Sequence, residues 1–76
     1  MISAYVLIAA KVGRVEEVLS KLSKIKNINK IEKVQGEYDI IAEVITKDDY
    51  RLENIIHKNI KKLKSIGLVS TLILKK

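Results

Sequence analysis

The 76-residue chain contains no cysteine, proline, tryptophan or phenylalanine, only three glycines and a single histidine. Without cysteine there is no disulfide, no thiolate metal site and no thiol redox chemistry. Without proline, and with glycine so scarce, nothing marks a linker or a low-complexity segment, so residues 1–76 read as one domain. One histidine offers little to a transition metal, and no glycine-rich loop is present to cradle a phosphate. The apolar start, Ile2 to Ala10, has no basic residues before it, and no apolar run reaches membrane-spanning length. The expectation is a cytoplasmic protein with no membrane partner, no cofactor and no metal.

What the chain does hold is aliphatic. Hydrophobic residues make up 47% of it, aromatic residues only 4%, and most of the rest is isoleucine, valine and leucine. So short a chain buries a thin core, about one layer of helices on one sheet, and part of its apolar surface is left for another subunit to cover. The net charge of +6 comes almost wholly from lysine. That charge keeps a protein soluble and draws anions, but it defines no function by itself.

Along the chain, "ISAYVLIAAK" (2–11) reads as a strand with both phases apolar: Ile2, Ala4, Val6, Ile8 and Ala10 on one face, Tyr5, Leu7 and Ala9 on the other. Such a strand is covered on both sides. "GRVEEVLSKLSKIK" (13–26) places Val15, Val18, Leu19, Leu22 and Ile25 in one helical stripe. Its early Glu16 and Glu17 and later Lys21, Lys24 and Lys26 suit the helix dipole. "INKIEKVQ" (28–35) is a second strand in which Ile28 and Ile31 differ in phase, so a loop or bulge precedes its regular part. A short turn at Gly36 leads to the strand "YDIIAEVIT" (38–46), paired antiparallel with the second.

Asp48 is a candidate N-cap for a helix from about 49 to 66, with Leu52, Ile55, Ile56, Leu63 and Ile66 as its buried stripe and Gly67 as its stop. "LVSTLILK" (68–75) closes the chain as a last strand. The order β-α-β-β-α-β predicts an α+β, ferredoxin-like sandwich: a four-stranded antiparallel sheet with two helices on one face. The other face keeps whichever phase of the first strand the helices do not take. An apolar sheet face left open calls for a second subunit, so a homodimer is expected.

Candidate sites are few. His57 falls on the helix side away from the apolar stripe, with no evident partner for acid–base work, and an enzyme is not expected. Lys58, Lys61, Lys62 and Lys64 crowd the second helix and could attract phosphate, which keeps a basic nucleic-acid-binding module open as an alternative. No aromatic-rich strand is present to stack bases. "VQGEYDIIAEV" (34–44) is more pointed: Gly36, Tyr38 and Asp39 bring a flexible turn, a phenol and a carboxylate to one end of the sheet. Such a set could hold a small zwitterion, its ammonium against Asp39 and its carboxylate against turn N–H groups. It is equally compatible with a solvated hairpin end. Ser70 and Thr71 are hydroxyls within the otherwise apolar last strand.

The sequence "VQGEYDIIAEV", followed by a helix and then "GLVSTLILK", resembles the effector-binding domain of the Lrp/AsnC family of regulators, also called RAM, over essentially the whole chain. The resemblance implies a sandwich that dimerises through its sheet, forms rings of dimers, and binds amino acids or related small molecules between dimers. By position it assigns Gly36, Tyr38 and Asp39 to the ligand-binding turn, and Ser70 and Thr71 to hydroxyl positions of the last strand. Full-length members carry an N-terminal helix-turn-helix, whereas here the sheet begins at Ile2. The expectation is therefore a stand-alone version without direct sequence-specific DNA binding. It would sense an effector, co-assemble with full-length relatives, or serve only as a structural partner in assembly.

Overall fold

A computed structural model describes residues 1–74 of the chain. Strand β1 (Ile2–Ala10) leads into helix α1 (Val15–Leu22), then strands β2 (Ile28–Lys33) and β3 (Ile40–Thr46). Helix α2 (Asp49–Asn54) runs on as a π-helical segment, Ile55–Ile60, and strand β4 (Ile66–Leu74) follows. The sheet order is β2-β3-β1-β4 and every neighbouring pair is antiparallel. This is the ferredoxin-like α+β arrangement that the β-α-β-β-α-β order predicts.

Packing resolves the two phases of β1. Ala4, Val6 and Ile8 are fully buried under the helices, together with Ile40, Ala42 and Val44 of β3, Val18 and Leu22 of α1, and Leu52 and Ile60, while Ile55 and Ile56 are nearly so. Each Val, Leu or Ile buried this completely contributes roughly 1.5–3 kcal/mol of transfer free energy. Tyr5, Leu7 and Ala9 take the opposite face. Residues side by side in an antiparallel register share a face. The pairs Tyr5–Leu72, Leu7–Ser70, Ala9–Leu68 and Leu7–Ile41 therefore place Leu68, Ser70, Leu72 and Ile41 on that open face as well.

The mismatched phases of Ile28 and Ile31 have the cause their spacing suggests. The β2–β3 register shifts between Ile28 and Lys30, and this irregularity lets both isoleucines pack against the core. Asp48 caps α2 as expected: its carboxylate accepts the Arg51 N–H at 2.9 Å.

Several boundaries differ from expectation. Helix α1 spans Val15–Leu22 rather than 13–26, because Gly13 adopts a positive φ of 76° in the turn before it. Strands β2 and β3 are joined by residues 34–39, so β3 starts at Ile40 rather than at Tyr38. The second helix ends at Ile60, not near 66, and Gly67 lies inside β4 rather than serving as a helix stop. The apolar residues Leu63 and Ile66 misled: both pack half-buried against the same core, but from the turn and the strand that follow. The π-helical segment widens the last turns, closed by Lys61 N–H donating to the Ile56 carbonyl at 2.7 Å. That widening keeps Ile55, Ile56 and Ile60 all turned inward. The expected extension of the last strand to Lys75 lies outside the described residues.

Candidate functional site

The turn at residues 34–39 stands at the end of the sheet where β1 finishes and β3 begins, and Asp39 ties the two strands together. Its backbone N–H donates to the Ile8 carbonyl at 2.9 Å, and its own carbonyl accepts the Val34 N–H at 2.8 Å. Its carboxylate oxygen Oδ2 accepts the Ala10 N–H at 2.8 Å. A carboxylate accepting a backbone N–H is a charge-assisted bond, stronger than a neutral one. Asp39 is thus first a latch that holds the turn against the end of β1. Its second oxygen, Oδ1, leaves acceptor capacity for a cationic group.

Gly36 supplies the backbone freedom the turn needs. Its φ of 133° lies where side chains are rarely tolerated, whereas a Cβ added there would meet nothing within 4 Å. Conformation, not lack of space, selects glycine at this point. Tyr38 is half-buried beside it. The turn therefore presents a phenol, a half-engaged carboxylate and exposed backbone at one sheet end.

Ser70 and Thr71 are not part of that turn. They sit on β4, across β1 from it, and they point to opposite faces: Ser70 pairs with Leu7 on the open face, Thr71 with the buried Val6 on the helix face. The turn brings Gly36, Tyr38 and Asp39 together; of the two β4 hydroxyls, only Ser70 shares the open sheet face with the apolar residues around it. His57 is exposed and pairs with Glu53 at 3.0 Å, one helical turn away. That contact accounts for it as a surface residue.

A second set of polar contacts surrounds the same sheet end and left no pattern in the sequence. Ser65, 8% exposed, donates its hydroxyl to the Glu17 carboxylate, and its carbonyl accepts the Lys11 N–H at 2.7 Å. Arg14 also reaches Glu17, at 3.2 Å. The Ser65 hydroxyl, helped by Arg14 and Lys21 nearby, holds the Glu17 carboxyl below its ordinary value of 4.5, against the opposing effect of desolvation. Glu16 is paired in turn with Lys33 of β2. The loops around the turn are thus braced from both helices' ends, but partners 48 residues apart leave no local spacing to find.

Two depressions lie elsewhere. A cleft of about 90 Å³ on the open sheet face is lined by Tyr5, Lys30, Glu32, Ile41 and Glu43. A shallow groove of about 620 Å³ lies at the far end of the sheet, between Met1, Ile2, Ser3, Ile45, Asp49, Ile73 and Leu74. Neither includes the Gly36 turn. Among the described residues, no helix is long and apolar enough to cross a membrane.

The split-βαβ sandwich places the chain in the ferredoxin-like α+β class, with a glycine–aspartate turn latched to the end of its first strand. The chain belongs to one family of that class, the Lrp/AsnC ligand-binding domain, whose model matches residues 3–76. No curated protein matches the chain. Among solved structures it is similar to FFRP-DM1, at 32% identity over 99% of this chain and 100% of that one, with a TM-score of 0.95. It is also similar to the hypothetical protein PHS023 from Pyrococcus horikoshii, at 32% identity over 100% of this chain and 92% of that one, TM-score 0.92. A more distant likeness, at 10% identity, is the transcriptional regulator NMB0573 from Neisseria meningitidis, solved as a complex with L-Met. There the match covers 99% of this chain and 50% of that one, with a TM-score of 0.91, and it speaks for the fold alone.

Proposed function

We propose that the chain acts as a small-molecule-binding regulatory module whose effector is an amino acid, and that it modulates transcription by assembling with full-length relatives. The observation that carries this reading is the latched turn. Asp39 fixes it against Ala10 with one carboxylate oxygen and offers the other to an ammonium group, while the loop N–H groups around Gly36 suit a carboxylate. The L-Met bound to NMB0573 supports the choice of ligand class. A single chain leaves the turn open on its outer side, so a second copy supplies the rest of the site.

The sheet supports that assembly. Leu68, Leu72 and Leu74 are 57%, 54% and 48% exposed, and they adjoin Tyr5, Leu7, Ile41 and Ile45 on the face the helices leave bare. A homodimer built on this face is isologous, and the same patch meets itself across a two-fold axis. Dimers then join into a ring at the Gly36 end, where Gly36, Tyr38 and Asp39 meet the neighbouring dimer. Ser70 lines the sheet side of the assembly and Thr71 the helix side.

Thermal-shift screening of the twenty amino acids tests the reading. At a hundred times its Kd an effector adds about 2.7 kcal/mol of apparent stability, which a melting curve registers readily. The proposal predicts a clear rise with one or a few amino acids. No rise with any of them would remove the amino acid from the account.

A further inference from the structure

The outer end of the second helix carries a concentration of positive charge that the effector site does not use. Lys58 lies on the last π-helical turn, Lys61 caps it, Lys62 and Lys64 follow in the turn that leads to β4, and all four are exposed. Lys11 joins them, because its backbone N–H bonds the Ser65 carbonyl and so sets it beside Lys64. Among the described residues none of these lysines is in an ion pair. Three carboxylates near this end have other partners, Glu17 in Ser65 and Arg14, Glu16 in Lys33, and Glu53 further back in His57, while Asp39 spends one of its two oxygens on the Ala10 N–H. The corner is thus a patch of ammonium groups in no ion pair, with the half-engaged Asp39 carboxylate at the same sheet end.

We propose that this lysine corner docks the phosphate backbone of a double-stranded nucleic acid. Its chemistry selects among anionic partners. Firm attachment to a membrane surface adds apolar side chains inserted beside the lysines, whereas here the apolar residues of the segment, Ile55, Ile56 and Ile60, are buried in the core. Single strands are held by stacking bases on exposed rings, and the segment from 55 to 65 has no phenylalanine, tyrosine or tryptophan, while its one ring, His57, is paired with Glu53. What remains is a cluster of compact, sequence-blind point charges at the end of the second helix and in the turn after it, which suits the phosphates of a duplex. The contact is weak in one copy and gains strength wherever several copies face one duplex.

Fluorescence anisotropy with a labelled duplex of mixed sequence, about 20 base pairs long, tests the proposal. The full chain binds at about 50 mM salt and loses roughly a hundredfold in affinity by about 200 mM, the slope for about four neutralised phosphates. The triple variant Lys58→Gln, Lys61→Gln, Lys62→Gln loses at least roughly tenfold in affinity, and the corresponding arginine variant keeps it. A control with the same charge change at the far end of the molecule, Lys24→Gln, Lys26→Gln, Lys47→Gln, binds as wild type. Equal weakening in both glutamine variants would reduce the effect to net charge and overturn the docking surface. So would absence of binding at the lower salt, or stronger competition by polyglutamate than by unlabelled duplex, which would make the partner an acidic protein. The amino-acid response of the lysine variants stays that of wild type, so this proposal and the effector reading stand or fall separately.

Discussion

Asp39 latches the turn with one carboxylate oxygen and, in the proposed reading, holds the effector with the other, and substitution can separate the two roles. Asp39→Ala removes the acceptor of the Ala10 N–H and costs about 1–3 kcal/mol, the range for an unpaired donor that is partly buried. Asp39→Asn keeps a carbonyl oxygen for that N–H and removes the negative charge. The latch therefore predicts that Asn retains most of the stability in urea denaturation, while both variants lose the amino-acid response. Equal destabilisation by the two would mean that charge, not the latch, holds the turn. Glu17 makes a related case through its titration. Its carboxyl is held below its ordinary value of 4.5, first by the Ser65 hydroxyl, so the stability it contributes is present above that value. The contribution is lost as pH falls through the lower, folded-state value. Ser65→Ala should therefore cost most near neutrality, and the gap to wild type should narrow as pH falls below 4.5. A gap that stays constant across the acid range would contradict the link between Ser65 and Glu17.

At the scale of elements, the helix starts were more legible than the ends. Asp48 announces α2 by capping chemistry, and Asp48→Ala should lower stability by about 1 kcal/mol, with Asp48→Asn close to wild type in the same thermal melt. The stripe of Val15, Val18, Leu19 and Leu22 was readable because one helix face meets one core, whereas Ile25 packs on that core from beyond the end of the helix. The end of α2 was not readable, because Leu63 and Ile66 continue an apolar rhythm from a turn and a strand that pack on that core. Rhythm reports which side is buried, and it does so whatever the backbone is doing. The bulge between Ile28 and Lys30 could be inferred, since two isoleucines out of phase on one strand need an extra residue between them. The turn was legible as Gly36, Tyr38 and Asp39, three neighbours in sequence. Its brace was not: Ala10 lies 29 residues from Asp39, and a backbone N–H carries no residue signature.

For the whole molecule, the open sheet face is the feature with the largest consequences. The sequence left both phases of β1 apolar and could not say which one faced the helices; packing assigns Val6 to the core and Leu7 to the bare face. The two positions should now behave differently. Val6→Asp puts a charge in the core and should unfold the chain, whereas Leu7→Glu with Leu72→Glu should leave a folded monomer, read by circular dichroism together with light scattering. A wild-type protein that runs as a single chain at micromolar concentration would remove the dimer, and with it any site shared between subunits.

The central claim is that an amino acid binds at the latched turn, in a site completed by a second copy. Isothermal titration of each of the twenty amino acids, into wild type and into the folded Leu7→Glu, Leu72→Glu monomer, tests it most directly. The account predicts saturable heat from at least one amino acid with wild type and none from the same amino acid with the monomer. No heat from any amino acid with wild type, or equal binding by the monomer, would contradict it.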